Sequence, residues 1–220
     1  MDVVLSQKYI NAGEDGITRC WWGSEYQDYG HYHDQEWGRP SQNDFQLFEK
    51  ICLEGFQSGL SWITILRKRE NFRKAFAEFD FNKIAKFDSD NIDMLLENKG
   101  IVRHRGKIEA TLNNAHRAIE LVHEYGSLAA YIWQWEPASS EPHVGKGEYN
   151  YPIPSITKTS QLLSKDLKKR GWKFFGPTTA YAFMQAMGLV NDHIEGCAFR
   201  KIVEGERLKF KKPKILTTYS

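Results

Sequence analysis

This chain is short of several things, and each shortage removes a class of protein. It holds 3 Cys in 220 residues, at positions 20, 52 and 197, an odd and scattered set that cannot make a complete disulfide framework. It has no apolar run of the roughly 20 residues that cross a bilayer. Met1 leads into Asp2 and a short mixed segment rather than a basic and then apolar leader, so the expectation is a reduced, cytoplasmic protein with no membrane partner. An excess of one charge sign is also missing. Lys and Arg number 30 against 28 Asp and Glu, a net charge of +2, so any nucleic-acid surface must be a local patch. There is no internal repeat, no close Cys pair of the zinc-finger kind and no convincing strand alternation.

Aromatic residues, by contrast, are plentiful, with 7 Trp, 10 Tyr and 13 Phe. Several crowd into the Gly-, Asp- and His-containing stretch from Cys20 to Pro40, as Trp21, Trp22, Tyr26, Tyr29, Tyr32 and Trp37. Such a segment suits the lining of a site better than a plain helix. From Asp44 onward apolar residues recur at three- and four-residue steps, the signature of amphipathic helices. Phe45, Phe48, Ile51, Cys52 and Phe56 mark one, loosened at its end by Gly55 and Gly59. Others are expected at Ser61–Arg69, over Phe72 to Phe79, from Ile92 to Gly100, from Ile108 to Gly126 and at Leu128–Trp135. The stretch 137–154, with Pro137, Pro142, Pro152 and Pro154, reads as a loop. Helices resume over 155–170 and 178–187, and a last one is expected to hold His193 and Cys197. The chain therefore reads as all-α. It divides into an N-terminal extension over 1–18, a single domain over 19–204 and a basic tail over 205–220.

Cys20 and His33 near one end, with His193 and Cys197 near the other, are two thiols and two imidazoles. That set fills a tetrahedral zinc site with no position left for water. His193 and Cys197, four apart on a helix, point the same way. Spacing alone leaves two readings open: a long-range zinc staple, or two buried cysteines and two unrelated histidines. Glu54 is the single carboxylate in the apolar run Cys52-Leu53-Glu54-Gly55-Phe56. Periodicity alone favours an edge position with its head in water near Lys50. The alternative is a part-buried carboxylate, costly without partners, that serves substrate recognition or acid–base work. Trp62 and the aromatics before it offer flat faces on which an extruded base can stack, though filling the core is their commoner use.

The segment Lys168-Lys169-Arg170-Gly171-Trp172-Lys173-Phe174-Phe175-Gly176-Pro177-Thr178 ends one helix at a Gly and starts the next with Pro at its first turn. A helix N-terminus with four cations nearby can grip a phosphate without reading sequence. A solvated charged turn is the plainer reading. Two further basic clusters, Arg67-Lys68-Arg69 and Arg103-His104-Arg105-Gly106-Lys107, carry the same ambiguity.

Longer motifs are more specific. Tyr32-His33-Asp34-Gln35-Glu36-Trp37-Gly38, Cys52 to Gly55 with Gly59-Leu60-Ser61-Trp62-Ile63-Thr64, Gly100-Ile101-Val102-Arg103-His104-Arg105-Gly106-Lys107-Ile108 and Gly188-Leu189-Val190-Asn191-Asp192-His193 resemble the DNA-3-methyladenine glycosylase I family of base-excision repair enzymes. The resemblance runs from about Cys20 to Cys197. It implies an all-α helix–hairpin–helix fold, with the hairpin at about 163–187, and one structural zinc on Cys20, His33, His193 and Cys197. It implies that Glu54 contacts the excised base, that Trp62 stacks on it and that Tyr29 and Tyr32 line the pocket. Gly59 and Leu60 then approach the gap left by the flipped nucleotide, while Lys168, Lys169, Arg170, Lys173, Gly176 and Thr178 meet the DNA backbone. The expected partner is double-stranded DNA containing alkylated bases, the product 3-methyladenine, and the simplest state a monomer. Two competing readings remain. A zinc hydrolase around His33 and Glu36 would need an open coordination position, which four Cys and His ligands argue against. A non-catalytic DNA-binding module would share the hairpin but needs no acidic pocket.

Overall fold

A computed structural model describes residues 8–138 and 153–215. The Pro- and Gly-rich positions 139–152, with residues 1–7 and 216–220 of the two tails, lie outside the described residues. The central element is α2, Asp44–Gln57. Asn43 starts it by accepting the backbone N–H groups of Phe45 and Gln46, each at 3.0 Å, which satisfies two donors that a helix leaves orphaned. Its apolar face buries Leu47, Phe48, Ile51, Leu53 and Phe56. Helix α1 is Gln27–Gln35 and α3 is Trp62–Ala75. The helix expected over Phe72 to Phe79 breaks after Ala75, because Ala77, Glu78 and Phe79 form a left-handed turn with φ of 51°, 56° and 55°. Such a turn is unfavourable for L residues, and here it drops Phe76 and Phe79 fully into the core beside Phe56 and Phe72.

Two short helices follow, α4 at Phe81–Ile84 and α5 at Ser89–Glu97, the second opened by a reciprocal Asp88–Asn91 capping box. The long α6, Arg105–Tyr125, ends at Gly126 in the left-handed conformation that glycine adopts without penalty. After α7, Leu128–Ile132, come α8, Lys158–Lys169, and α9, Pro177–Ala186, packed against each other across the turn 170–176. The last helix, α10, is Ala198–Lys209, so five residues assigned to a basic tail, 205–209, are helical. Helix α2 contacts α3, α6, α7 and α9, which makes it the shared wall of the molecule.

Two expectations are corrected. The all-α reading missed a small antiparallel hairpin, β1 at Ile10–Ala12 and β2 at Thr18–Cys20, with Ile10 opposite Cys20. Three-residue strands are too short for an alternation signal. Nor do His193 and Cys197 share a helix. Residues 191–197 form a turn with Gly196 at φ +94°, and Cys197 is the N-cap of α10. The turn, closed by the Cys197 N–H donating to the Ile194 carbonyl at 2.9 Å, aims both side chains at one point instead. Close backbone approach brings the two ends of the chain together there. A Cβ on Gly188 would lie 2.6 Å from the Gly38 carbonyl oxygen, so only glycine fits.

Candidate active site and metal cluster

Strand β2 delivers Cys20, α1 delivers His33, and the turn before α10 delivers His193 and Cys197. Their donor atoms all lie within 4.8 Å of one another, and all four residues are buried. Cys20 Sγ is 3.8 Å from His193 Nδ1, while Cys197 Sγ is 3.7 Å from His33 Nε2 and 3.5 Å from His193 Nδ1. The groups behind them are arranged with equal care. His33 Nδ1 meets Asp34 Oδ1 at 2.8 Å, and Asp34 accepts two nitrogens of Arg19 at 2.7–2.9 Å. His193 Nε2 meets the Trp37 carbonyl at 3.2 Å, and the Ile194 N–H donates to Cys20 Sγ at 3.3 Å. Hydrogen bonding from Cys20, and then from the two histidines, holds the Cys197 thiol well below the usual range. The cluster can hold a metal ion with its ligand orientations already set.

Next to this cluster, across Trp22 and Trp37, lies a cleft of about 390 Å³. Tyr29 and Tyr32 enter it from α1, Glu54 and Gln57 from α2, Trp62 from the start of α3 and Gln185 from α9. All the base-contacting residues expected from the sequence therefore meet at one cleft. The Tyr32 and Trp62 ring centroids are 5.4 Å apart, and those of Trp22 and Tyr29 4.9 Å. Glu54 is only 4% exposed, which overturns the edge position that periodicity favoured. Its carboxylate takes no hydrogen bond from any described residue. Burial pushes its pKa up to about 7, against the opposing pull of the Lys50 charge. The indole nitrogen of Trp62 is buried and also unpartnered among the described residues. This is a wall able to accept hydrogen bonds through Glu54 and to donate one through Trp62, flanked by aromatic faces.

Two site residues were not singled out from the sequence. Lys50, one turn before Glu54, is buried beneath the Tyr32 and Trp62 rings. Its position four before the carboxylate was the available signal. Gln185 is held by Asp192, which also accepts the Tyr181 hydroxyl at 2.6 Å, and nothing local in the sequence marks it.

The basic residues fall into two groups. Lys168, Lys169 and Lys173 are exposed around the turn 170–176, as are Gly176 and Thr178 at the start of α9. Arg170 is instead engaged within the molecule, by Glu124 at 2.6 Å, Asp166 at 2.8 Å and the Tyr125 hydroxyl at 2.8 Å. Lys107 is buried and donates to the Phe56 and Ser58 carbonyls at 2.9 and 2.6 Å. It closes the C-terminal end of α2 rather than facing a phosphate. Just beyond, Gly59 turns at φ +82° and presents Leu60 at 42% exposure. The tip of the 170–176 turn docks on α2 beside Glu54, where a Cβ on Gly55 would meet the Phe174 carbonyl oxygen at 3.2 Å. No helix among the described residues is long and apolar enough to cross a membrane.

Comparison with known proteins bears on this geometry. The methyladenine glycosylase family model matches residues 21–201. The chain is 47% identical over 180 residues to a DNA-3-methyladenine glycosylase of Haemophilus influenzae, covering 82% of this chain and 96% of that protein. It is 46% identical over 181 residues to DNA-3-methyladenine glycosylase 1 of Escherichia coli, with the same coverage of 82% and 96%. Among solved structures, a variant of 3-methyladenine DNA glycosylase I in complex with 3-methyladenine superposes with a TM-score of 0.73 at 34% identity, covering 88% of this chain and 96% of that one.

Proposed function

The chain belongs to the methyladenine glycosylase family, and from that premise we infer how its own residues do the family's work. It is a DNA repair enzyme that excises 3-methyladenine from alkylated DNA by cleaving the N-glycosidic bond. The observation that carries the residue assignments is the buried Glu54 carboxylate, which lines the cleft among aromatic side chains and takes no hydrogen bond from any described residue.

Methylation at N3 places a positive charge on the adenine ring. The base therefore leaves as a neutral molecule and needs no strong acid. The enzyme's task is to extrude the nucleotide and hold the base, and a damaged base is the cheapest to unstack. Ionised Glu54 accepts hydrogen bonds from the exocyclic amino group and favours a cationic ring over neutral adenine. Trp62 stacks on the ring, with Tyr29 and Tyr32 lining the cleft, and a desolvated cation–π contact contributes roughly 1–2 kcal/mol. Water adds to the sugar C1′ as the C1′–N bond breaks. The bonding electron pair returns to the ring, the second hydrogen of the water leaves as a proton, and an abasic site remains.

The remaining assignments concern DNA and metal. Helices α8 and α9 with their turn form a helix–hairpin–helix that holds the backbone through Lys168, Lys169, Lys173, Gly176 and Thr178, and Leu60 after Gly59 enters the gap left by the extruded nucleotide. Residues 19–204 act as one glycosylase domain, a monomer on double-stranded DNA. The metal is zinc. Bond lengths of about 2.3 Å to sulfur and 2.0–2.1 Å to nitrogen at tetrahedral angles put S and N about 3.5 Å apart, and the observed separations of 3.5, 3.7 and 3.8 Å fit. Bound there, zinc supplies a closed structural clip between the chain's two ends.

The test is release of free base from methylated duplex DNA, resolved by chromatography, for the wild type and Glu54→Ala. The wild type should release 3-methyladenine. The variant should lose excision by on the order of a hundredfold while DNA binding stays nearly unchanged. Equal losses in both would mean that Glu54 supports DNA binding as a whole and does not act on the extruded base.

A further inference from the structure

Lys50 is 7% exposed, on the same face of α2 as Glu54 and one turn before it. Its Nζ donates to the Tyr32 hydroxyl oxygen at 2.9 Å and sits 4.2 Å from the Trp62 ring centroid and 4.7 Å from that of Tyr32. A buried ammonium ordinarily pairs with a carboxylate. Around Lys50 the nearby acids are otherwise engaged or out of reach. Glu36 after α1 is gripped by Arg69 from α3 at 2.8 Å, and Glu49 on α2 by Arg73 at 2.8 Å. Glu54 is near enough to act on Lys50 electrostatically but makes no ion pair with it within 4.0 Å among the described residues. Lys50 therefore serves a hydroxyl and two ring faces, all three belonging to the base cleft.

The consequence is directional. An ammonium donates and cannot accept. The Tyr32 oxygen spends a lone pair on it, and the Tyr32 hydrogen is barred from pointing back at Nζ. We propose that Lys50 is a positioning residue that locks the Tyr32 hydroxyl as a hydrogen-bond donor into the cleft, so that the cleft floor favours the neutral, departing base over the bound cation. This rests on the glycosylase reading. The chemistry is one of charge. While the glycosidic bond is intact the methylated ring is positive, and both the ammonium and an inward O–H dipole are unfavourable to it. As the bond breaks, the ring recovers the electron pair and its nitrogens become better acceptors. Both groups then favour what forms. Glu54 does the opposite, favouring the cation and so recruitment. Burial draws the Lys50 pKa down to about 8, with the Glu54 charge opposing.

The experiment is a double-mutant cycle of Lys50→Met and Tyr32→Phe on methylated duplex DNA under single-turnover and steady-state conditions, with thermal stability measured alongside. Lys50→Met should lower the single-turnover rate by about fivefold, the size of one net hydrogen bond, with KM unchanged or lower, as when ground-state repulsion is removed. In the Tyr32→Phe background the same substitution should cost less than twofold. Lys50→Gln, which both donates and accepts and so no longer fixes the hydroxyl, should reproduce the loss if Lys50→Met does not fold. A normal rate in either Lys50 variant, or an equal loss with and without the Tyr32 hydroxyl, would overturn the proposal while leaving the glycosylase reading intact. A wild type that releases no base would instead sink the reading on which it stands.

Discussion

The metal cluster and the base cleft are neighbours that share α1, yet they treat buried polar atoms in opposite ways. Around Cys20, His33, His193 and Cys197, three of the four have a partner behind them: Asp34 and Arg19 behind His33, the Trp37 carbonyl behind His193, and the Ile194 N–H on Cys20. In the cleft, buried Glu54 takes no hydrogen bond from any described residue, and the buried Trp62 indole N–H gives none to any. Buried polar groups in proteins are almost always satisfied, and an exception calls for a reason. A satisfied cluster stabilises a fold. A cluster short of partners stores binding capacity for a ligand that brings the missing donor and acceptor groups, and it costs stability until that ligand arrives.

If that contrast is right, damage to the two regions should move stability in opposite directions. The largest effect belongs to the cluster. Structural zinc sites contribute binding free energies on the order of 10 kcal/mol to folding. Stripping the metal with a strong chelator, or substituting His193→Ala, should therefore lower the melting temperature by roughly 10 °C or more, with excision lost only as the fold is lost. Calorimetry on metal-loaded and stripped protein, with metal content measured, checks this. An unchanged melting temperature after complete stripping would show that the four side chains pack adequately alone.

The cleft should behave the other way. Glu54 has its pKa raised from 4.5 to about 7 by burial. A carboxyl raised on folding binds protons more tightly when folded, so it costs stability as pH climbs from its unfolded value to its folded one. Below about pH 4.5 Glu54→Gln and wild type should thus melt alike. Above pH 7 the variant should be the more stable, by on the order of 3 kcal/mol, even though its excision has collapsed. The same shift predicts the pH profile. If the ionised form recruits the lesion, kcat/KM for the wild type should rise with pH to a plateau above about 7, and no such limb should remain in Glu54→Gln.

The sequence disclosed these two regions unequally, for physical reasons. The onset of α2 at Asp44, its three- and four-residue steps and the Gly126 stop were readable because periodicity and helix stops act locally. The ligand set was readable as residue types, but the geometry holding it was not. Nothing in Asn191 to Gly196 distinguishes a turn from a first helical turn until the positive φ of Gly196 is seen, and the Ile10–Cys20 hairpin is too short to alternate. Glu54 misled in isolation, because a carboxylate on an apolar face is usually at an edge. Its burial is imposed by α1, α3 and α9 arriving from far along the chain. Lys50 and Arg170 were hidden for the same reason, since a cation's role depends on which distant acids and rings it meets.

The smallest effect sharpens the contrast at the hairpin, where adjacent cations divide between the two behaviours. Lys169 is exposed and has no ion pair among the described residues, whereas Arg170 is tied to Glu124, Asp166 and Tyr125. Lys169→Ala should leave the melting temperature unchanged, weaken binding to any duplex by a similar factor and reduce the slope of log affinity against log salt by about 1. Arg170→Ala should lower stability by roughly 1 kcal/mol, since its network is partly exposed and screened, and leave that slope almost untouched. Salt titrations of duplex binding with paired melting curves separate the two. If Arg170→Ala shifts the slope as much as Lys169→Ala does, the internal ion pairs of Arg170 must open on DNA, and the hairpin would join the cleft as a region that holds its charges in reserve for the substrate.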